Sequence, residues 1–201
     1  SYVQREEAEN LTREMKVTNT SAKTALVTPL GDHLLTVGAN FEKEELSDET
    51  SNQISNRTDV AASKWALFAE DEWMLPGNVS VTGGLRLDDD ENYGSHVSPR
   101  LYGVWGMAPR WTLKGGVSTG FRSPSLREIT PDWGQTSRGG DVYGNPDLEP
   151  ETSVNKELGL YFNAGRDLQA NVTVFHNDFK DKITRIACPP SVCPGGPNQF
   201  G

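Results

Sequence analysis

Long apolar runs are missing from this sequence, and their absence excludes one class of membrane protein. The 201 residues are 35% hydrophobic, but no stretch approaches the roughly 18 consecutive apolar residues of a membrane-spanning helix. An excess of positive charge is missing too, since 28 acidic and 19 basic residues give a net charge of -9. Because nucleic acid binding needs a basic surface, we expect no nucleic acid partner.

Motifs of catalysis are equally absent. The sequence contains no G-x-S-x-G, no H-E-x-x-H and no P-loop, so we expect no enzymatic activity. The acidic run DDDEN at residues 88–92 offers the hard oxygen ligands that Ca²⁺ prefers, although such a run is more often a solvated loop. The histidines His33, His96 and His176 are scattered, so no other metal site is predicted.

Cysteine is scarce, with one pair in the motif C-x4-C. Cys188 and Cys193 lie in a Pro/Gly-rich segment near the end of the chain. In an oxidising compartment this spacing predicts a disulfide that closes a small loop, whereas a metal site would need about four ligands.

Alternation of apolar and polar residues is the main feature of what remains. In NVSVTGGLRLDD, for example, every second residue from 79 to 87 is apolar or glycine, with side chains at Val79, Val81, Leu85 and Leu87. Arg86 lies on the opposite face. Similar segments recur along the chain, beginning with REMKVTNTSAKTALVT, and they amount to about eight strands. This pattern predicts an all-β, antiparallel, up-and-down meander with one apolar and one polar face.

The connections between these strands fall into two kinds. Tight turns are predicted at 29–32, 75–78, 107–110 and 163–167, and longer polar loops at roughly 47–61, 90–96 and 122–151. Because short and long connections alternate, we expect all the short turns at one end of the sheet and all the long loops at the other.

The strands are also long. Many run for about 11 to 13 residues, against about 5–6 in soluble proteins and 9–11 in membrane-spanning strands. Trp65 and Trp73 lie on one face, roughly 26 Å apart along the strand, as two aromatic girdles would require, although Asp71 interrupts that face. We therefore predict a transmembrane β-barrel; the alternative is a soluble β-sandwich or lipocalin-like barrel whose apolar face packs inward.

Residues 96–163 carry a family resemblance. The segments SPRL, LKGGVSTGFRSPSL and GNPDLEPETSVNKELGL closely resemble TonB-dependent outer-membrane receptors. The catecholate ferric-siderophore branch, with the ferric enterobactin and colicin I receptors, is the most similar. The resemblance covers most of residues 62 to 186, and the first 60 residues only in style.

Several expectations follow from this resemblance. Such receptors are barrels of about 22 strands closed by a plug domain, and they import ferric chelates with energy relayed by TonB. We expect residues 1–201 to be a mid-barrel segment of such a receptor, without plug or TonB box, in a bacterial outer membrane with long loops extracellular and short turns periplasmic. The implied partners are a ferric siderophore as transported ligand, outer-membrane lipid, TonB through the plug, and colicin-like bacteriocins. No covalent cofactor is expected.

Ferric catecholates are anionic and aromatic, so a receptor should offer cations and aromatic faces. At the end of one predicted strand and in the loop that follows, the chain has a suitable set of residues. The candidate ligand-binding residues of this loop are Arg122, Arg127, Trp133, Arg138 and Tyr143. Arg86 and Arg100 are expected on the polar face, pointing into the lumen.

Each candidate also has a structural interpretation. Arg86 and Arg100 are more often partners of a plug or of wall carboxylates such as Glu70 or Glu157, and Arg122 could order the base of the loop. A short helical turn is predicted at SPSLREI, with Ser123 as cap and Pro124 at the first helical position. The alternative function is a surface docking protein or adhesin, used by bacteriocins or phage, without transport of its own.

Overall fold

A computed structural model describes residues 2–5, 12–48, 59–130, 135–137, 140–165, 168–187 and 199–200. Most of these residues lie in strands. The strands are β1 (Tyr2–Arg5), β2 (Thr12–Leu30), β3 (His33–Asp48), β4 (Asp59–Leu75), β5 (Val79–Asp90), β6 (Gly94–Ala108), β7 (Trp111–Arg122), β8 (Gln135–Ser137), β9 (Gly140–Tyr143), β10 (Glu151–Asn163), β11 (Gln169–Lys180), β12 (Ile186–Ala187) and β13 (Gln199–Phe200). One helical turn, α1 (Leu126–Ile129), lies between β7 and β8. In the described ranges, no helix has the length and apolar character needed to cross a membrane.

Nine of the strands form one sheet, in the order β1 to β7, then β10 and β11. All its neighbouring strands are antiparallel, and the eight long strands have 12 to 19 residues. The predicted up-and-down meander of about eight strands is therefore confirmed, and β1 adds a short strand before the first predicted one. The strands β12, β13, β9 and β8 form a second, small sheet from segments that follow β7 and β11.

The apolar face of the large sheet is exposed. The register places Leu85 between Ala69 and Pro99, and Leu101 between Gly83 and Val117, so apolar residues form continuous rows across the strands. The exposed side chains of these rows include Val37, Phe41, Leu67, Leu85, Val97, Leu101, Val117, Leu158, Val172 and Val174. Within the described part of the chain no second layer covers them, whereas the alternative of a soluble sandwich requires this face to be buried.

Aromatic residues lie toward both ends of the apolar face. Phe41 pairs with Trp65 about halfway along β3, at the point where the apolar residues of this face end on the side of the long connection 49–58. Toward the opposite end lie Trp73, Trp105, Trp111 and Phe162, and the rings of the last two are 4.7 Å apart. Aromatic rings at both edges of an apolar band are typical of barrels that cross a membrane.

At Asp71, which interrupts this face, one of the two carboxylate oxygens has a hydrogen-bond partner. Asp71 Oδ2 lies 2.8 Å from His33 Nδ1. The His33 ring in turn stacks on Trp73, with 5.4 Å between the ring centroids. The carboxylate is thus held beside an aromatic row, close to the end of the strand.

The connections follow the predicted asymmetry with one exception. Turns at 31–32, 76–78 and 109–110 close one end of the sheet, and the long connections 49–58 and 123–150 lie at the other. The predicted loop at 90–96 is wrong, because β5 and β6 leave a turn of only residues 91–93. The Asp90 carboxylate accepts a hydrogen bond from the Asn92 N–H at 2.9 Å, and Gly94 has φ of 70°. These two residues close a tight turn in which a polar composition alone suggested a loop.

The long connection after β7 folds back over the polar face. Leu126 of α1 packs against Leu46 of β3 and Val60 of β4, and these three residues form the one buried cluster of the described chain. The cap of α1 is Ser125 rather than Ser123, and Pro124 precedes the helix. Ser125 takes this role because Glu128, three residues later, accepts hydrogen bonds from its backbone N–H at 2.8 Å and its hydroxyl at 3.0 Å.

Candidate functional site

Two of the candidate arginines lie on the polar face of the sheet, as predicted. Arg86 of β5 forms a forked contact with Asp88, with Nε 2.9 and 3.0 Å from the two carboxylate oxygens. Arg100 of β6 lies 3.1 Å from Glu70 Oε2, and its guanidinium lies 5.9 Å from the ring centroid of Tyr102. Each guanidinium is thus already bound to a carboxylate of the wall.

Arg122, the last residue of β7, binds two carboxylates at once. Its Nη2 lies 2.9 and 3.0 Å from the two oxygens of Glu128, and its Nη1 lies 3.1 Å from Glu151 Oε2. Glu151 begins β10, and its other oxygen accepts a hydrogen bond from the Ile183 N–H at 2.6 Å. Arg122 therefore joins the base of α1, the start of β10 and the segment after β11.

Glu128 is the centre of the α1 end of this network. Burial by itself raises the pKa of the Glu128 carboxyl. The backbone N–H of Ser125, the Arg122 guanidinium and the Ser125 hydroxyl lower it further than burial raises it, so that the net pKa is below its ordinary value. Glu128 is accordingly a carboxylate at neutral pH, and it holds Arg122 by charge as well as by geometry.

The rest of the loop base is closely packed. The Asn145 N–H donates to the Glu128 carbonyl oxygen at 2.6 Å. A Cβ on Gly144 would lie 2.6 Å from the backbone N and O of Thr130, so only glycine permits this approach. The two ends of the connection 123–150 are therefore fastened to each other as well as to the sheet.

Of the other predicted loop residues, the structure describes Arg127 and Tyr143. Arg127 is half-buried on α1 and makes contacts with its surroundings. Tyr143 is only 5% exposed, which corrects the expectation of an accessible aromatic face at this position, since the ring is packed within the loop. Trp133, Arg138, Cys188 and Cys193 lie outside the described residues, so their roles remain predictions.

A cleft of about 380 Å³ lies on the polar face beside the end of β7. Its charged lining residues are Glu42, Lys64, Arg86, Asp88, Asp89, Asp90 and Arg122. Lys64 Nζ is 2.9 Å from Glu42 Oε2. Each of the three cations that line the cleft therefore has a carboxylate partner. An anionic ligand could bind these cations only by displacing those carboxylates.

The acidic run at residues 88–92 binds protein donors. Asp88 binds Arg86, the Asp89 carboxylate accepts the Ser95 hydroxyl at 2.8 Å, and Glu91 accepts the Ser63 N–H at 2.9 Å. Over the described ranges, no group of three or more His, Cys, Asp or Glu side chains could hold a metal ion.

Sequence reasoning missed Glu128 and Glu151 as partners of Arg122. The spacing of Ser125 and Glu128 is that of a capping box, so Glu128 could have been identified from the sequence. Glu151 could not, because it meets Arg122 only through the register of β7 with β10. The suggestion that Glu70 would bind a wall arginine is confirmed by its contact with Arg100.

Comparisons with known proteins agree on one family. Residues 2–200 match the family described as TonB dependent receptor-like, beta-barrel. An iron-regulated outer membrane virulence protein of Vibrio cholerae serotype O1 is 59% identical over 201 residues, which is 100% of this chain and 31% of that protein. The chain thus spans about a third of the length of this curated relative.

Solved structures give the same result. The siderophore receptor PirA from Pseudomonas aeruginosa superposes with a TM-score of 0.83 and 33% identity, over 94% of this chain and 37% of that chain. A mutant ferric enterobactin receptor from the same organism, in complex with enterobactin, has a TM-score of 0.74 and 32% identity, over 89% and 29% of the two chains.

Proposed function

Since the chain belongs to the TonB-dependent receptor β-barrel family, we propose that it forms part of the wall of a receptor that imports ferric catecholate siderophores. The relatives are outer-membrane receptors and transporters and not enzymes, and several of them are receptors for ferric siderophores.

The observation that carries the proposal is the division of one sheet into two faces. An uncovered apolar face with aromatic rows at both ends suits contact with hydrocarbon. The polar face carries Arg86 and Arg100 near the middle of β5 and β6, and Lys114 closer to the short-turn end of β7, where an aqueous lumen would keep them solvated. Such a wall separates lipid from a polar passage, as import requires.

The catecholate class is supported by relatives and by chemistry. Proteins 32–33% identical to this chain are a siderophore receptor and a ferric enterobactin receptor. A ferric catecholate is an anion with aromatic rings, and guanidinium groups bind such anions by charge-assisted hydrogen bonds and stacking. Arginines are concentrated where β7 leaves the sheet, with Arg122 and Arg127 on either side of Pro124.

We propose that the long connections 49–58 and 123–150 face the exterior and the short turns face the periplasm. The short turns leave little surface for recognition, whereas the connection after β7 has both the length and the cations for it. TonB would act through a plug domain elsewhere in the receptor.

For ligand contact we propose Arg127, Trp133 and Arg138, with Arg122, Arg100 and Arg86 as cations that must exchange a carboxylate for the ligand. Arg122 binds two carboxylates, so it has the larger cost of release. Tyr143 would contact the ligand only after the loop opens, because its ring is buried.

The test is equilibrium binding of ferric enterobactin to a complete receptor that carries this segment. Changing Arg122, Arg127 and Arg138 together to glutamine should weaken binding at least tenfold, since two or three charge-assisted contacts are worth more than about 1.4 kcal/mol. The matched control changes Lys16, Lys43 and Lys180 to glutamine. These lysines are at the same end of the sheet, but the register assigns them to the apolar side. Equal affinity in both triple variants would refute the proposed site, and failure of the unchanged receptor to bind would refute the ligand class.

A further inference from the structure

A second polar groove lies at the opposite end of the polar face, beside the short turns. Its volume is about 640 Å³, which is within the range of about 300–1,000 Å³ usual for small-molecule sites. It runs between the ends of β7, β10 and β11. The residues with polar side chains that line it are Arg110, Thr112, Lys114, Tyr161, Asn163, Gln169 and Asn171.

The charge of this groove is unlike that of the cleft at the long-loop end. Its described lining residues include two cations, Arg110 and Lys114, and no carboxylate, although the chain as a whole has a net charge of -9. The carboxylate nearest along β10, Glu157, interacts with the Tyr102 hydroxyl instead. An anion could therefore enter this groove without displacing a carboxylate of the described lining.

Lys114 is held over an aromatic face rather than in an ion pair. Its Nζ lies 4.8 Å from the ring centroid of Tyr161, and within the described chain it forms no salt bridge. By contrast, Arg86, Arg100 and Arg122 each bind a carboxylate. The Lys114 ammonium is thus beside an aromatic ring and can still donate charge-assisted hydrogen bonds to an anion.

The position of the Tyr161 ring depends on a glycine. A Cβ on Gly159 would lie 2.9 Å from Tyr161 Cε2 and 3.2 Å from its hydroxyl oxygen. The ring therefore lies flat against the wall over Gly159, and it leaves the groove open. Thr112, which pairs with Tyr161 across β7 and β10, and Asn171, which pairs with it across β11, add neutral hydrogen-bonding groups on either side.

We propose that this groove is an exit-side subsite, in which Lys114 and Arg110 hold the anionic chelate and the Tyr161 ring contacts its aromatic groups before release. The inference rests on the proposed function and extends it to a second site at the far end of the passage. Transport through a passage requires sites that are weak and multiple. A groove whose described lining has two cations and no carboxylate meets that requirement at the end where the ligand leaves.

The experiment measures two quantities in cells that express the complete receptor: equilibrium binding of ferric enterobactin without energy, and its rate of energy-dependent import. The variants are Lys114→Gln with Arg110→Gln, and Lys114→Arg as the conservative variant. Lys180→Gln, at the long-loop end of β11, is the control. Receptor levels at the cell surface normalise every rate.

Loss of both cations should leave surface binding unchanged and slow import about tenfold, the value of one charge–aromatic contact. Lys114→Arg should restore most of the rate because it keeps the charge. An unchanged import rate, or an equal loss of surface binding, would overturn the proposal. A further outcome would also overturn it: the double variant imports the chelate at an unchanged rate but admits a large antibiotic that the unchanged receptor excludes. The groove would then be a contact surface for the plug and not a site for the chelate. If the unchanged receptor bound no ferric catecholate, the proposed function would fail first, and the inference with it.

Discussion

The network around Arg122 makes a quantitative prediction for Glu128→Gln. Glutamine keeps an oxygen that can accept the Ser125 N–H, but it removes the negative charge that holds Arg122 at 2.9 and 3.0 Å. Charge-assisted hydrogen bonds contribute about 1.5–3 kcal/mol when buried. The Arg122 side chain is 50% exposed and that of Glu128 is 26% exposed, so solvent screening reduces the expected loss to about 1 kcal/mol.

This loss should appear as local opening of α1 and not as unfolding of the sheet. Leu126 and the loop base are fastened at one end of the wall, whereas the strand ladders do not depend on Glu128. Amide hydrogen exchange in peptides covering 123–130 and 144–148 should therefore accelerate about fivefold, with the strands unchanged. Glu128→Ala, which also removes the hydrogen-bond acceptor, should accelerate it more.

Glu149→Gln is the matched control, because it removes the same charge from an exposed position of the same connection. If Glu128→Gln and Glu149→Gln gave the same exchange rates, the argument that Arg122 and Glu128 fasten the loop would be refuted. Faster exchange along β7 and β10 as well would show that the network supports the sheet itself.

Three further predictions concern pH, packing and the apolar face. The pKa of Glu128 is lowered in the folded protein, so its contribution to α1 is complete above the ordinary glutamate pKa of about 4.3 and is lost as pH falls through the lower folded-state pKa. The protection of amides 123–130, relative to the intrinsic exchange rate at each pH, should therefore fall only below about pH 4.3, and it should change much less in Glu128→Gln. Gly116→Ala would put a Cβ 2.5 Å from the Leu101 carbonyl oxygen and from Tyr102 Cδ2, so it should destabilise the barrel by about 1–3 kcal/mol. Thermal unfolding, followed by gel mobility, measures this loss. Gly83→Ala is the control, because a Cβ there has nothing within 4 Å, and it should unfold like the unchanged protein. Leu85→Arg should lower the free energy of unfolding in a bilayer by about 2–4 kcal/mol, although Leu85 is 61% exposed. Denaturant titration in lipid vesicles measures this loss, and Thr82→Arg on the polar face is the control. Equal losses in the two variants would contradict contact of the apolar face with the membrane.

The repeating part of this fold could be predicted from the sequence. Alternation such as that of Leu85 and Arg86 sets the face of each residue as soon as a strand is recognised, because the side-chain period is two. The limits of the strands were harder, as at Asp90 and Gly94, where polar residues extend the two strands into a tight turn. Composition describes whether a segment is polar, but the hydrogen bond from Asn92 to Asp90 decides whether it is a loop.

For the candidate site, the sequence predicted the types of residue but not most of the contacts between them. The sequence indicates cations at the end of β7 and, through the capping-box spacing, the nearby Glu128. Two other carboxylates are distant along the chain, because Glu70 is 30 residues from Arg100 and Glu151 is 29 residues from Arg122. Only the register of the strands brings them together. The groove at Lys114 depends on Tyr161 lying flat over Gly159, which no local pattern in the sequence reveals.

The central claim is that the apolar face touches lipid and the polar face lines an aqueous passage. Single cysteines introduced at consecutive positions from 97 to 104 of β6, in a complete receptor in membranes, test it most directly. With nitroxide labels, the odd positions should be relaxed by lipid-soluble oxygen and the even positions by a water-soluble nickel complex. Period-two alternation with that assignment is the predicted result. Uniform exposure to water, or protection of the odd positions from both agents, would contradict it.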